Sequence, residues 1–349
     1  MATLTEAGFY TRKTLNWTIL IMVAITLAPF FLKGVGLVIL ALNPPKPAPP
    51  EMRYGILPDV GFPRIPNVDK PSLVLETKTG DLPSFPNQLR VYPVQTNRLR
   101  LLEIDRIKTR AGTLGFIPEP EKLNDHTYRF KHPSVPATLT VDIISNGLSY
   151  KYDWSTDQNF YSATNVPTRE NGLNDAKGFF QTLAVLPSDM ASGTAKYSYF
   201  LSQPGGILKS VPQLEANVLR VDLFRSEIEM GKNKYRVVTP FYSTSPVNVT
   251  LTSLTGNKKI IEAAYNYSAL LDADKEFSTY PIKPVQAAWE ELRQGGGYIA
   301  HMDNPTSSIK VRNVYLAYYE AEAGQQFLQP IFVFEGDDGF AGYVTAIQN

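Results

Sequence analysis

The chain has 349 residues, with 34 Lys plus Arg against 33 Asp plus Glu, so it lacks the net field that would hold nucleic acid or an acidic surface. It has no cysteine, which excludes disulfides, thiolate zinc sites, iron–sulfur clusters and a cysteine nucleophile, and in an exported protein of this size points to a bacterial or archaeal envelope. A hydrophobic content of 43% with 19 Tyr and 18 Phe supplies a core, and the length allows two packed units once an anchor is subtracted.

Residues 1–16 read as a short cytoplasmic tail. From Trp17 to Leu42 the chain runs WTILIMVAITLAPFFLKGVGLVILAL with a single charge. As a helix it would span about 39 Å against a hydrocarbon core of about 30 Å. The run is longer than the apolar part of a signal peptide, and no small-x-small site follows before Asn43, so an uncleaved transmembrane helix over 17–42 is expected. Arg12 and Lys13 lie close on the N-terminal side, whereas Lys46 is the only nearby cation beyond, which places the N-terminus in the cytoplasm. Pro29 and Lys33 are the unusual residues of the span. Lys33 either snorkels toward the far interface or meets a partner helix. The lipid bilayer is thus the first partner.

Residues 43–71 form a proline-rich stalk opening with NPPKPAPPE, in which proline lacks the donor for a ladder and extends as a semi-rigid spacer. Its latter half could also pack on the first domain. Three amphipathic helices follow, at 97–114, 172–186 and 284–294, each with apolar residues three and four apart. Each leads into strand-like text. Asn146-Gly147, Gly205-Gly206, Thr255-Gly256-Asn257 and Gly336-Asp337-Asp338-Gly339 mark the hairpin turns between those strands. The expectation is an α+β protein: tandem modules of a helix packed on an antiparallel sheet, with ectodomains at 72–205 and 206–349.

The segments YPIKPVQAAWEELRQGGG, VRNVYLAYYE and FLQPIFVFEGDDGFAGYVTAI, in the last seventy residues, resemble the end of YycH/YycI-like regulators and, more loosely, PepSY-type modules. The overall plan is similar to that family's, and to uncharacterised membrane-anchored envelope proteins of candidate-phylum bacteria. The resemblance implies a helix before an antiparallel sheet, and a non-enzymatic action on a membrane sensor kinase. The long proline stalk and the first module depart from the family.

No catalytic constellation stands out. His126, His132 and His301 have no metal-ligand spacing. Lys78-Thr79-Gly80 and Ser307-Ser308-Ile309-Lys310 match the KTG and SxxK patterns of penicillin-binding proteins, but in reversed order, and Lys310 on a strand would point away from Ser307. Asp272-Ala273-Asp274-Lys275-Glu276 opens like a calcium loop but has Lys283 where the twelfth-position glutamate belongs. Gly295-Gly296-Gly297 reads as a helix stop. In VYLAYYE, Tyr315 and Tyr319 fall on the sheet face opposite Val314, Leu316 and Tyr318, as an aromatic platform for a partner or as packing beneath a neighbour.

These readings lead us to expect a non-enzymatic extracytoplasmic protein with no cofactor and no metal, binding or regulating a membrane or envelope protein. A structural subunit of a cell-surface assembly, with self-association, is the alternative, and an envelope hydrolase the lesser one.

Overall fold

The computed structural model describes residues 4–42, 48–63, 71–95, 103–161, 163, 165–304, 308–322 and 324–348. The chain divides into two compact units, Met1–Pro49 and Pro50–Asn349. The first is one helix, α1 (Leu4–Leu42), so helix begins well before Trp17. Its stretch Arg12–Gly36 is long and apolar enough to cross a membrane, and none of it is buried within the chain. It fits a membrane anchor or a signal sequence.

In the second unit, β1 (Ser72–Leu75) and β2 (Gln88–Pro93) precede α2 (Glu103–Thr113). Next come β3 (Glu121–Lys122), β4 (Thr127–Lys131), β5 (Ala137–Asp142) and β6 (Leu148–Tyr152), then the helices α3 (Gln158–Tyr161), α4 (Arg169–Thr182) and α5 (Ser188–Ala191). A long β stretch follows: β7 (Ala195–Gln203), β8 (Ile207–Ser210), β9 (Val218–Leu223), β10 (Ile228–Met230), β11 (Asn233–Val238), β12 (Val247–Thr252), β13 (Ile260–Tyr265) and β14 (Ser278–Pro281). The chain ends with α6 (Val285–Arg293), β15 (Tyr298–His301), β16 (Ser308–Tyr319), β17 (Phe327–Gly336) and β18 (Ala341–Thr345).

Among the described residues these strands form two nine-stranded sheets. In the helix-backed sheet the order is β3-β4-β5-β6-β13-β12-β9-β7-β8, antiparallel throughout. Strands β5, β6 and β13 alternate between buried and more exposed residues, whereas the central β12 is buried throughout and β9 nearly so. Leu139, Tyr150, Ala263, Val249 and Val221 bury against Ile107 of α2 and Ala176 and Phe180 of α4. Across the opposite face runs the cross-strand row Ser198, Arg220, Thr250, Glu262, Lys151 and Thr138, which places Glu262 directly against Lys151. Helix α4 lies close on this sheet because a Cβ at Gly172 would collide with the Leu219 side chain. It starts three residues earlier than the spacing predicts because Thr168 caps it, accepting from the Asn171 N–H at 3.2 Å. It stops before Ala184, whose φ of +52° breaks the helical run.

The second sheet has the core order β10-β11-β16-β17-β18-β15 and adds β1, β2 and β14. Both β1 and β11 run parallel to β16, so this sheet is mixed rather than antiparallel. Both of its faces are covered, and Leu328–Phe334 of β17 are accordingly buried without a break. One face packs Val314, Leu316, Phe332 and Phe334 under Trp289 and Leu292 of α6. The other packs Ala317, Tyr319, Val333 and Tyr343 under Val60 and Phe62.

Three expectations are corrected. The boundary between 205 and 206 falls in the turn of the β7–β8 hairpin, and β9, β12 and β13 return to the same sheet. The sheets are therefore interleaved along the chain and not in tandem: β1, β2, β10, β11 and β14 to β18 build one, the rest the other. The stalk, lastly, is no free spacer over its described residues 51–62, and it packs on β14 rather than on the expected first domain. Leu57 and Val60 are buried, and the Arg53 and Tyr54 N–H groups donate to Ser278 Oγ and the Tyr280 hydroxyl at 2.9 Å each. Residues 43–47, 64–70 and 96–102, including the start of the helix expected from 97, lie outside the described residues.

The exit of β9 is clamped to α5, since Phe224 N–H donates to the Thr194 carbonyl and Ser226 N–H to that of Asp189, each at 2.9 Å. A Cβ on Gly193 would strike the Phe224 carbonyl oxygen, whereas one on Gly178 of α4 meets nothing within 4 Å. Gly193→Ala is expected to lower stability by about 1–3 kcal/mol, and Gly178→Ala to leave it unchanged or raise it by about 0.5–1 kcal/mol. Urea midpoints at constant m-value measure both.

Candidate functional site

Where the two sheets meet, an arginine sits almost wholly inside the protein. Arg225 follows β9, and its side chain is 2% exposed. Its Nε donates to Asp189 Oδ2 of α5 at 2.8 Å, and its Nη2 to the Ser268 carbonyl beyond β13 at 2.6 Å. Its Nη1 lies 3.2 Å from Glu320 Oε1 at the end of β16. The angle there is not that of a hydrogen bond, so this contact is ionic only. The guanidinium lies over the Tyr267 ring at 4.4 Å from its centroid, and the Tyr267 hydroxyl donates to Asp189 at 2.9 Å. Burial alone would lower the arginine's pKa, but Glu320, Tyr267 and Asp189 outweigh it and hold the pKa above its ordinary value. Fully buried Glu320 goes the other way from most paired carboxylates: desolvation raises its pKa against the opposing pull of Arg225.

Beside this cluster opens a cleft of about 350 Å³. Arg225, Asp189 and Tyr267 lie at its wall toward the helix-backed sheet, while Arg90 of β2, Glu229 of β10 and Asp274 line it from the other side. Arg90 is half-buried, with its guanidinium carbon 3.8 Å from the centroid of the Phe277 ring.

A second junction lies around Glu335 of β17. Its Oε1 accepts from the hydroxyls of Tyr242 at 2.6 Å and Tyr315 at 2.7 Å, and its Oε2 from Asn313 Nδ2 at 3.2 Å. Burial would raise this carboxyl, but the two tyrosine hydroxyls and the Asn313 amide hold its pKa below the usual value. The Tyr242 hydroxyl is pushed up to about 12 by burial and by that carboxylate. Lys196 of β7 closes the contact between sheets. Its Nζ lies 4.2 Å from the centroid of the Tyr242 ring and donates to the Tyr242 carbonyl at 2.7 Å.

These positions revise the sequence-derived sites. Tyr315 is half-buried with its hydroxyl committed to Glu335, and Tyr319 is fully buried against Phe62 and Tyr343. These two tyrosines form no exposed platform, because Val60 and Phe62 of the 57–63 strap and Tyr242 of the 239–246 loop pack on that face. On α1, Trp17 and Lys33 are exposed, Pro29 lies inside the helix and Leu42 ends it. The histidines lie apart: His126 Nδ1 is 2.6 Å from Asp142, His301 Nε2 is 2.9 Å from Asp303, and His132 packs edge-on to Phe116. No group of three or more possible metal ligands occurs among the described residues. Because β1 pairs with β16, Lys78-Thr79-Gly80 does follow a neighbour of the SxxK strand. Lys310 nevertheless pairs with Glu76 at 2.9 Å, and Ser307 lies outside the described residues. Arg225, Asp189, Glu320 and Arg90 were not singled out by the sequence, which carries no local pattern around them, and Asp274 stood out only within the calcium-loop-like run 272–276.

No known protein family and no curated protein matches the chain. A solved structure, that of an uncharacterized protein from Eubacterium rectale ATCC 33656, is similar with a TM-score of 0.42 and 10% identity, over 79% of this chain and 88% of that one. So slight a likeness carries no inference about fold or function.

Two carboxyls with opposite shifts give opposite pH dependences. Glu320, raised in the folded state, binds more protons folded than unfolded, so its contribution falls as pH rises above about 4.5 through its folded pKa. Glu335, lowered, contributes stability that is lost as pH falls below about 4.5. In urea titrations between about pH 3 and pH 9, Glu320→Gln is expected to flatten the alkaline decline and Glu335→Gln the acid one. Arg225→Leu leaves two carboxyls unmatched and should cost about 3–5 kcal/mol, largely recovered when Asp189→Asn and Glu320→Gln are added.

Proposed function

We propose that the protein is a membrane-tethered, extracytoplasmic binding protein whose globular unit engages an envelope partner and does no chemistry of its own. One observation carries the reading: Arg12–Gly36 is apolar, unburied within the chain and set in a compact unit separate from Pro50–Asn349. A helix of this kind is stable where lipid covers it. The cations Arg12 and Lys13 at its start favour a cytoplasmic N-terminus. The buried ionisable groups Arg225, Asp189, Glu320 and Glu335 are engaged with one another or with tyrosines, which supports a scaffold for binding over a reacting centre. The resemblance of the C-terminal segments to YycH/YycI-like regulators supports a membrane sensor protein as the kind of partner.

Full-length protein is expected in the membrane fraction after carbonate washing, and a chain lacking residues 1–42 in the soluble fraction. Protease added to intact cells should digest residues 50–349. A bulk protected from protease, or a mature chain beginning after Asn43, would overturn the tether. If concentration-dependent oligomers persist after solubilisation in detergent, the surface-assembly reading takes its place.

A further inference from the structure

The cleft beside Arg225 is lined by six charged side chains, of which four are satisfied by neighbours. Arg225 and Asp189 hold each other, Glu229 pairs with Lys234 at 2.6 Å, and Glu227 lies 3.9 Å from Arg236. Arg90 and Asp274 remain, one cation and one anion; the Arg90 side chain meets the Tyr92 hydroxyl, but neither group has an ion pair among the described residues.

Both are held by the local architecture. Strand β2 pairs with β14 from Ser278 to Pro281, and beyond it Val94 bridges to Leu270 while Leu271 N–H donates to the Pro93 carbonyl at 3.0 Å. Residues 272–277 therefore stand out from the ladder opposite Tyr92. Asp272 closes this turn by accepting from the Lys275 and Glu276 N–H groups at 3.0 and 2.7 Å. Asp274 is thus carried at the rim of the cleft whose wall bears Arg90. Phe277, at the base of the same turn, stacks on the Arg90 guanidinium and fixes it, which lowers the entropy lost when it binds a planar anion.

We infer that this cleft binds a small zwitterion, an amino acid or short peptide with free termini, its carboxylate on Arg90 and its ammonium on Asp274. The charge pattern selects this class. A phosphate or other dianion would meet Asp274, Glu227 and Glu229, and a polyamine would meet Arg90 and Arg225, whereas a zwitterion satisfies both unpaired groups together. A volume of about 350 Å³ is at the small end of ligand cavities, which run from about 300 to 1,000 Å³. Tyr267 and Leu270, both partly exposed, offer apolar surface to the body of the ligand. This claim goes beyond the tether and stands apart from it, since it concerns the globular unit alone.

The test uses the full chain in detergent micelles and a panel of free D- and L-amino acids and dipeptides, followed by thermal shift and isothermal titration calorimetry. At least one member is expected to bind, and its N-acetylated and C-amidated forms to bind about tenfold or more weakly. Arg90→Gln should erase the discrimination against the amide alone, and Asp274→Asn that against the acetyl group alone. Circular dichroism checks that both variants stay folded. Binding by no member of the panel, equal binding of the capped forms, or unchanged discrimination in the variants overturns the inference. Cleavage or cytoplasmic retention of the chain in cells would refute the tether and leave this result untouched.

Discussion

A guanidinium cannot leave water for a protein interior without anions and acceptors arranged around it, and that requirement ties the two sheets together at Arg225. The desolvation cost is several kcal/mol per ion, so the pair forms only where its partners arrive together. Here they come from three places in the chain: α5 gives Asp189, the end of β16 gives Glu320, and the segment after β13 gives Tyr267 and the Ser268 carbonyl. None of these elements can shift without stranding a charge. Apolar packing would tolerate several docking angles between two sheets, but this cluster satisfies few.

The Glu335 junction meets the same demand by another route. Here a carboxylate is kept ionised in a half-buried place by hydroxyl donors, and the donors are tyrosines from two elements, β16 and the 239–246 loop. Glu320 has a charge beside it but no hydrogen bond to its Oε1, and desolvation dominates. Two glutamates at the end of β16 and in β17 thus have opposite proton affinities because one is solvated by hydroxyls and the other by a misaligned cation. Arg225, Asp189 and Tyr267 of the first junction also line the cleft, so the charges that fix the architecture form its wall.

Interleaving explains why the site draws on residues so far apart in sequence. The helix-backed sheet is broken by the excursion of β10 and β11 into the other sheet, and the central strand β16 takes parallel partners from two distant segments, β1 and β11. Arg90 and Asp274 line one cleft only because β2 and β14 pair across nearly two hundred residues. No local pattern encodes such a pairing; a one-face strand reads alike whichever sheet receives it.

Several features follow from the sequence alone. The apolar run in α1 is a matter of composition and length, and the turns at Asn146 and at Gly205 and Gly206 follow from backbone conformations that few residues adopt, with φ of +56°, +86° and +79°. Helix α6 was readable for the same reason, since Val285, Ala288, Trp289 and Leu292 recur on one face between Pro284 and Gly295. Which sheet each strand joins, where the units divide and whether Tyr319 meets solvent were decided by tertiary packing. Those outcomes depend on contacts between distant segments, such as Phe62 on Tyr319 and Arg225 on Glu320, whose free energy exists only once both partners are in place.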